Sequence, residues 1–199
     1  MESTLLEQIR SGHLILAVCC ILYLAWWAIF FWPKVTGGKA KGAMRLLGIV
    51  ALIGAIITGT VGATLICDGA NTLMEKTPQT PLMIFGGAAI IYAALLTVTW
   101  KMHNRQPTVE LALFVAWLGM EVLVACAFNV LGKGGEANIL ADLSIVGFGV
   151  SLVCYNFYYK LKPLSSFIDG CVPLALIGVI SVVTTTRSEE RRVGKECRS

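Results

Sequence analysis

Six apolar runs of about twenty residues, divided by short polar loops, leave this chain few folds to choose from. A bilayer core about 30 Å thick is crossed by roughly 20 helical residues. Within hydrocarbon every backbone polar group must be satisfied internally, which runs of this length achieve as helices. The runs span about 13–32, 44–66, 81–100, 109–131, 139–159 and 164–186. Charged residues make up only 14% of the chain and hydrophobic ones 56%, against about 25% charged in a soluble domain. Most of the chain therefore has no water-facing side to cover, and no polar stretch is long enough to form a second, soluble domain. The expected fold is all-α, a single polytopic transmembrane bundle of six helices over residues 1–186.

Residues 187–199, RSEERRVGKECRS, break sharply from this composition, with five basic and three acidic residues in thirteen. The segment resembles the SEERRVGKECRS trailer appended to many unrelated sequences as a read-through artefact, so it is set aside as non-native, disordered or unrelated to the fold. Without it the net charge falls from +4 to +2. Setting it aside leaves the native C-terminus open, with room for further helices after Thr186. The start, with Glu2, Glu7 and Arg10, lacks the basic lead and small-residue cleavage site of a signal peptide.

The loops set the orientation. Those after spans 1, 3 and 5 hold Lys34, Lys39, Lys41, Arg45, Lys101, Arg105, Lys160 and Lys162, whereas the lead and the other two loops hold Arg10, Lys76 and Lys133. Positive residues stay in the cytoplasm, which puts both termini outside. Trp32, Trp100, Tyr158 and Tyr159 then all fall at the cytoplasmic interface, where amphipathic rings gather. A polar loop over 67–80 is expected to turn at Asp68-Gly69, and a glycine-rich turn at 132–138.

Span 2 carries Ala51, Ala55, Gly59 and Ala63 at four-residue spacing, with Gly54, Thr58 and Gly62 as a second row. Small residues in such rows let helix backbones approach closely. Span 2 is thus expected at the packed centre of the bundle, with a pore-lining glycine row as the functional alternative.

Span 4 carries the sharpest functional hint. Glu121 lies eleven residues beyond Glu110, roughly 16 Å into the span. An acid at that depth costs about 2.5–3.5 kcal/mol on insertion scales and calls for a partner, a water or a proton. It shares a helix face with Glu110, Phe114, Trp117, Ala125 and Phe128. No Lys or Arg lies deep in any span, so the sequence points to a protonated carboxyl bonded to Tyr92, Thr97 or Asn156. The functional alternative is a proton or cation site in a transport path, with Glu121, Trp117, Asn156 and Asp169 as candidates. Asp169 precedes Pro173, which can kink span 6. Capping that break or pairing with Lys160 or Lys162 is the plainer role for Asp169.

Enzyme signals are missing. His13 reads as the outer end of span 1 and His103 as part of a cytoplasmic loop, so the two cannot share a site. There is no HExxH, GxSxG or phosphate-cradling glycine loop. Seven cysteines without a CxxC pair read as small buried hydrophobes. No metal, cofactor or nucleic acid is expected, and the basic loops suit anionic lipid headgroups.

Tyr23-Leu24-Ala25-Trp26-Trp27 and Tyr158-Tyr159-Lys160-Leu161-Lys162-Pro163 resemble a group of small, uncharacterised multi-pass bacterial membrane proteins. Length and topology, with Tyr92-Ala93-Ala94 and Leu113-Phe114-Val115-Ala116, resemble the six-helix urea/amide channel family. The resemblance implies an inner-membrane protein and carries over no pore residue. The expected function is a small transporter or channel for a solute or proton. The alternative is a non-transporting membrane subunit that uses its small-residue rows and Glu121 to associate with itself or a partner.

Overall fold

The computed structural model describes residues 2–74 and 79–196, with side chains through 186. Glu75 and Lys76, assigned above to the second loop, lie outside the described residues. The chain forms six helices: α1 (Glu2–Val35), α2 (Ala43–Leu73), α3 (Gln79–His103), α4 (Val109–Val130), α5 (Gly134–Tyr158) and α6 (Pro163–Glu196). Each is long and apolar enough to cross a membrane, and no strand occurs among the described residues. The chain is a multi-pass membrane protein.

Helix limits differ from the hydropathy limits where polar residues continue a helix. The largest extension is at α1, which begins eleven residues before the apolar run and counts 34 residues. That is about 51 Å of helix, more than the bilayer core needs. Asp68 and Gly69 lie within α2 and form no turn there. Gly69 stays helical because it is packed: a Cβ on it would lie 2.7 Å from Ile9 Cγ1.

Two ends of α4 show how local sequence sets its length. Thr108 caps the start, its hydroxyl accepting from the Leu111 N–H at 3.3 Å, which satisfies one of the free donors of the first turn. At the other end Gly132 adopts φ 71°. The Lys133 N–H donates to Phe128 O at 2.9 Å and the Gly132 N–H to Asn129 O at 3.0 Å. This pair of bonds closes the helix in a Schellman motif, for which glycine is suited by its lack of Cβ. The chain reverses within a few residues and α5 returns alongside α4.

α1 and α2 form a close antiparallel pair. A Cβ on Gly12 would lie 2.9 Å from Gly62 O, and one on Gly62 equally close to Gly12 O. Gly59 faces Cys19, Gly54 faces Leu22, and Gly48 faces Phe30 along the same seam. Ala51 and Ala55 are buried, while Gly59 and Ala63 are half-buried. Close approach of backbones replaces the hydrophobic drive that lipid cannot supply.

α6 packs on α1 and α5, and α5 packs on α4. The centre is α4, not α2. It contacts α2, α3, α5 and α6 and reaches α1 through side chains, and its buried positions include Leu111, Phe114, Trp117, Leu123 and Val124. The small rows of α2 serve one neighbour, α1, while α2 also touches α4. α3 leans on α4 where Phe85 and Ala88 meet Gly119; Thr99 is its one buried residue among those described, and its other positions are half-buried or exposed.

Candidate functional site: a buried histidine–glutamate pair beneath a vestibule

Glu121 is 1% exposed and His13 is 0% exposed. His13 Nε2 lies 3.0 Å from Glu121 Oε1 and 3.2 Å from Oε2. His13 Nδ1 lies 2.8 Å from Ile9 O. A carbonyl oxygen only accepts, so the Nδ1 atom carries a hydrogen and donates to Ile9. The contact between Nε2 and the carboxyl then needs a second hydrogen. Either an imidazolium donates to a carboxylate, or the neutral acid donates to Nε2. In both descriptions the pair holds one proton more than neutral histidine and carboxylate would.

That extra proton holds the site together. Remove it with Nδ1–H still on Ile9, and the Nε2 lone pair faces a carboxylate with nothing between them. The imidazole must then switch tautomer and release Ile9, or the two side chains must part. At a site this buried, neither outcome leaves the packing unchanged.

The partner predicted for Glu121 is thus corrected. Tyr92 and Thr97 belong to α3, and the Thr97 hydroxyl donates to Ala93 O of its own helix. His13 was placed at the outer membrane boundary because the apolar run begins there. With α1 reaching back to Glu2, His13 lies three turns inside the helix and faces the bundle. Helical spacing held a signal: His13, Leu16, Ala17 and Cys20 lie on one face of α1, and all four are buried.

A vestibule of about 730 Å³ with a mixed polar and apolar lining, Leu6, Ile9 and Phe128 included, opens over this pair at the end of the bundle that bears the N-terminus and the α4–α5 turn. Its lining includes the hydroxyls of Ser3, Thr4, Thr184 and Thr185, the acids Glu7 and Glu136, the bases Arg10 and Lys133, and His13. Lys133 also reaches Glu2 at 3.9 Å. His13 therefore lines the vestibule while its Nε2 rests on the buried Glu121.

The other predicted residues do not join this site. Trp117 is buried at 2% exposure and meets Phe114 edge to face at 5.0 Å. Its Nε1–H has no hydrogen-bond partner among the described residues. Asn156 and Asp169 are half-buried and lie near the opposite end of the bundle, two residues before the end of α5 and six residues into α6. Among the described residues no three His, Cys, Asp or Glu side chains gather as metal ligands would.

The second acid of α4 is also buried and meets α1 through one longer contact. Glu110 is 7% exposed, and the Tyr23 hydroxyl donates to its Oε1 at 3.4 Å. No family model, curated protein or solved structure matches this chain.

Proposed function

We propose that this protein is a proton-coupled transporter of a small polar solute. One observation carries the reading: a buried His13–Glu121 pair that needs a shared proton lies directly beneath a vestibule. Intramembrane ionisable groups mark solute and proton paths by default. Here the proton is also tied to the side-chain contact between α1 and α4, which is what coupling requires. The lining mixes two acids, two bases and four hydroxyls, a set better suited to a zwitterion or neutral polar solute than to an ion of one sign.

The loops between α1 and α2, α3 and α4, and α5 and α6 share one face and carry most of the cations. Held in the cytoplasm of a bacterial inner membrane, they leave the vestibule facing outward, so the solute enters the cell with its proton. The non-transporting subunit loses its main support, because the small-residue face of α2 is occupied by α1 of the same chain.

The test is reconstitution into liposomes with an enclosed pH dye. Steps in the concentration of amino acids and polyols should acidify the lumen for at least one solute. Glu121→Gln and His13→Gln should abolish that signal. Proton movement that persists unchanged in both variants overturns the reading.

A further inference from the structure

We infer that Glu110, held by Tyr23, is a second proton-binding station, and that the seam between α1 and α4 is a two-station path broken by an aromatic layer. The inference rests on the transport reading above and extends it to the opposite end of the bundle.

The geometry is a regular one. α1 and α4 run antiparallel, and each acid of α4 meets a polar side chain of α1: Glu121 meets His13, and Glu110 meets Tyr23. Eleven residues separate the acids and ten separate their partners, so both pairs lie on one seam, about 15 Å apart along the axis. Positions 110, 114, 117 and 121 fall on one stripe of α4. The two acids are thus the ends of a series whose middle members are Phe114 and Trp117.

Between the stations the packing is apolar. Phe114 is fully buried and Trp117 is 2% exposed, and both belong to one apolar cluster with the buried Leu16 and Cys20 of α1. Protons move along chains of hydrogen bonds with steps of about 3 Å, and this layer offers no such chain. The stations therefore cannot exchange protons in the structure as it stands. A path of this kind exposes one station at a time, and the layer must rearrange between the two.

The two stations differ in surroundings. Around Glu121 the charged and titratable groups are His13 of α1 and, in the vestibule above, Glu7, Arg10, Lys133 and Glu136. Around Glu110 they are Tyr23 of α1, Tyr158 of α5 and Cys171 of α6, all within electrostatic range of its carboxyl. Arg105 of the α3–α4 loop acts on Tyr158 in turn. Glu110 also lies in the first turn of α4, where the helix N-terminus favours an anion. A proton arriving there from Glu121 is released toward the basic loops, and the carboxylate left behind is stabilised by the helix end.

Infrared difference spectroscopy of the reconstituted full chain, with protons as the only probe, tests this without a known solute. A pH titration should show two carboxyl bands, one lost in Glu121→Gln and the other in Glu110→Gln. Tyr23→Phe, which keeps both acids, should move the Glu110 band and leave the Glu121 band in place. It serves as the test if Glu110→Gln does not fold. A Glu121 band that titrates beside a silent Glu110 overturns this inference and leaves the transport reading standing. If Glu121 is silent too, both fall. A pH step applied from the vestibule face alone should reach the Glu121 band first; simultaneous response of both bands overturns the aromatic layer as a barrier.

Discussion

α3 and α4 are both apolar enough to cross a bilayer, yet 67% of the apolar window of α4 is buried in the bundle and only 6% of that of α3. Apolarity does not decide this, because lipid tails are as oily as leucine and do not push apolar side chains together. Polar groups and shape do. α4 carries Glu110 and Glu121, each met by a side chain of α1. α3 has no acid, and its only basic or imidazole groups come at its last turn. One helix is held in the centre by groups that lipid cannot satisfy, and the other is free to face lipid.

The comparison is most strongly tested by removing one member of the buried pair. His13→Ala leaves the carboxyl of Glu121 buried and alone, and Glu121→Ala leaves the imidazole so. Each should cost about 3–5 kcal/mol, the usual cost of leaving a buried charge without its partner. Thermal unfolding in detergent measures it. The double variant His13→Leu/Glu121→Leu should recover most of the loss, since no polar group is then left unpaired. Thr97→Val on α3 should change little, since that hydroxyl bonds only to its own helix. Single variants as stable as the parent would show that the pair does not hold α4 in place.

A smaller effect is expected where shape alone acts. Gly12→Leu forces a side chain into the carbonyl of Gly62, 2.9 Å from the first added carbon. Backbone cannot move aside as a side-chain tip can, so α1 and α2 must separate, at about 1–3 kcal/mol. Displacing α1 also shifts His13. The same variant should therefore weaken the coupling between Glu121 and the vestibule, read as loss of the proton signal in liposomes.

These expectations mark what the sequence could and could not say. Six spans were legible because length and apolarity leave no other fold. Glu121 was legible as unusual because a charge at mid-span is costly wherever it lies. Its partner was not, since hydropathy ends a span at the first polar residue. That rule took His13 for a boundary, although it is buried in a helix that continues to Glu2. The small rows of α2 were visible as a packing surface, but spacing alone does not name the neighbour. It turned out to be α1, and the centre of the bundle went to α4. The vestibule was not legible at all. It is built from α1, the α4–α5 turn and α6, three segments that no local pattern connects.

The smallest effect sharpens the comparison from the lipid side. Gly86 and Gly87 of α3 have no atom within 4 Å of where a Cβ would be, unlike Gly119 of α4, where Ala88 and Phe85 lie 3.4 and 3.5 Å away. Leucine at 86 or 87 points into lipid, displaces nothing and adds no unpaired group. Stability should stay within about 0.5 kcal/mol of the parent, as for other substitutions that touch no packed feature. Thermal unfolding and size-exclusion chromatography in mild detergent check this together. A larger loss of stability, or a change in the number of chains per particle, would show that another chain covers this face in the membrane. The contrast between α3 and α4 would then be a property of the single chain and not of the assembled protein.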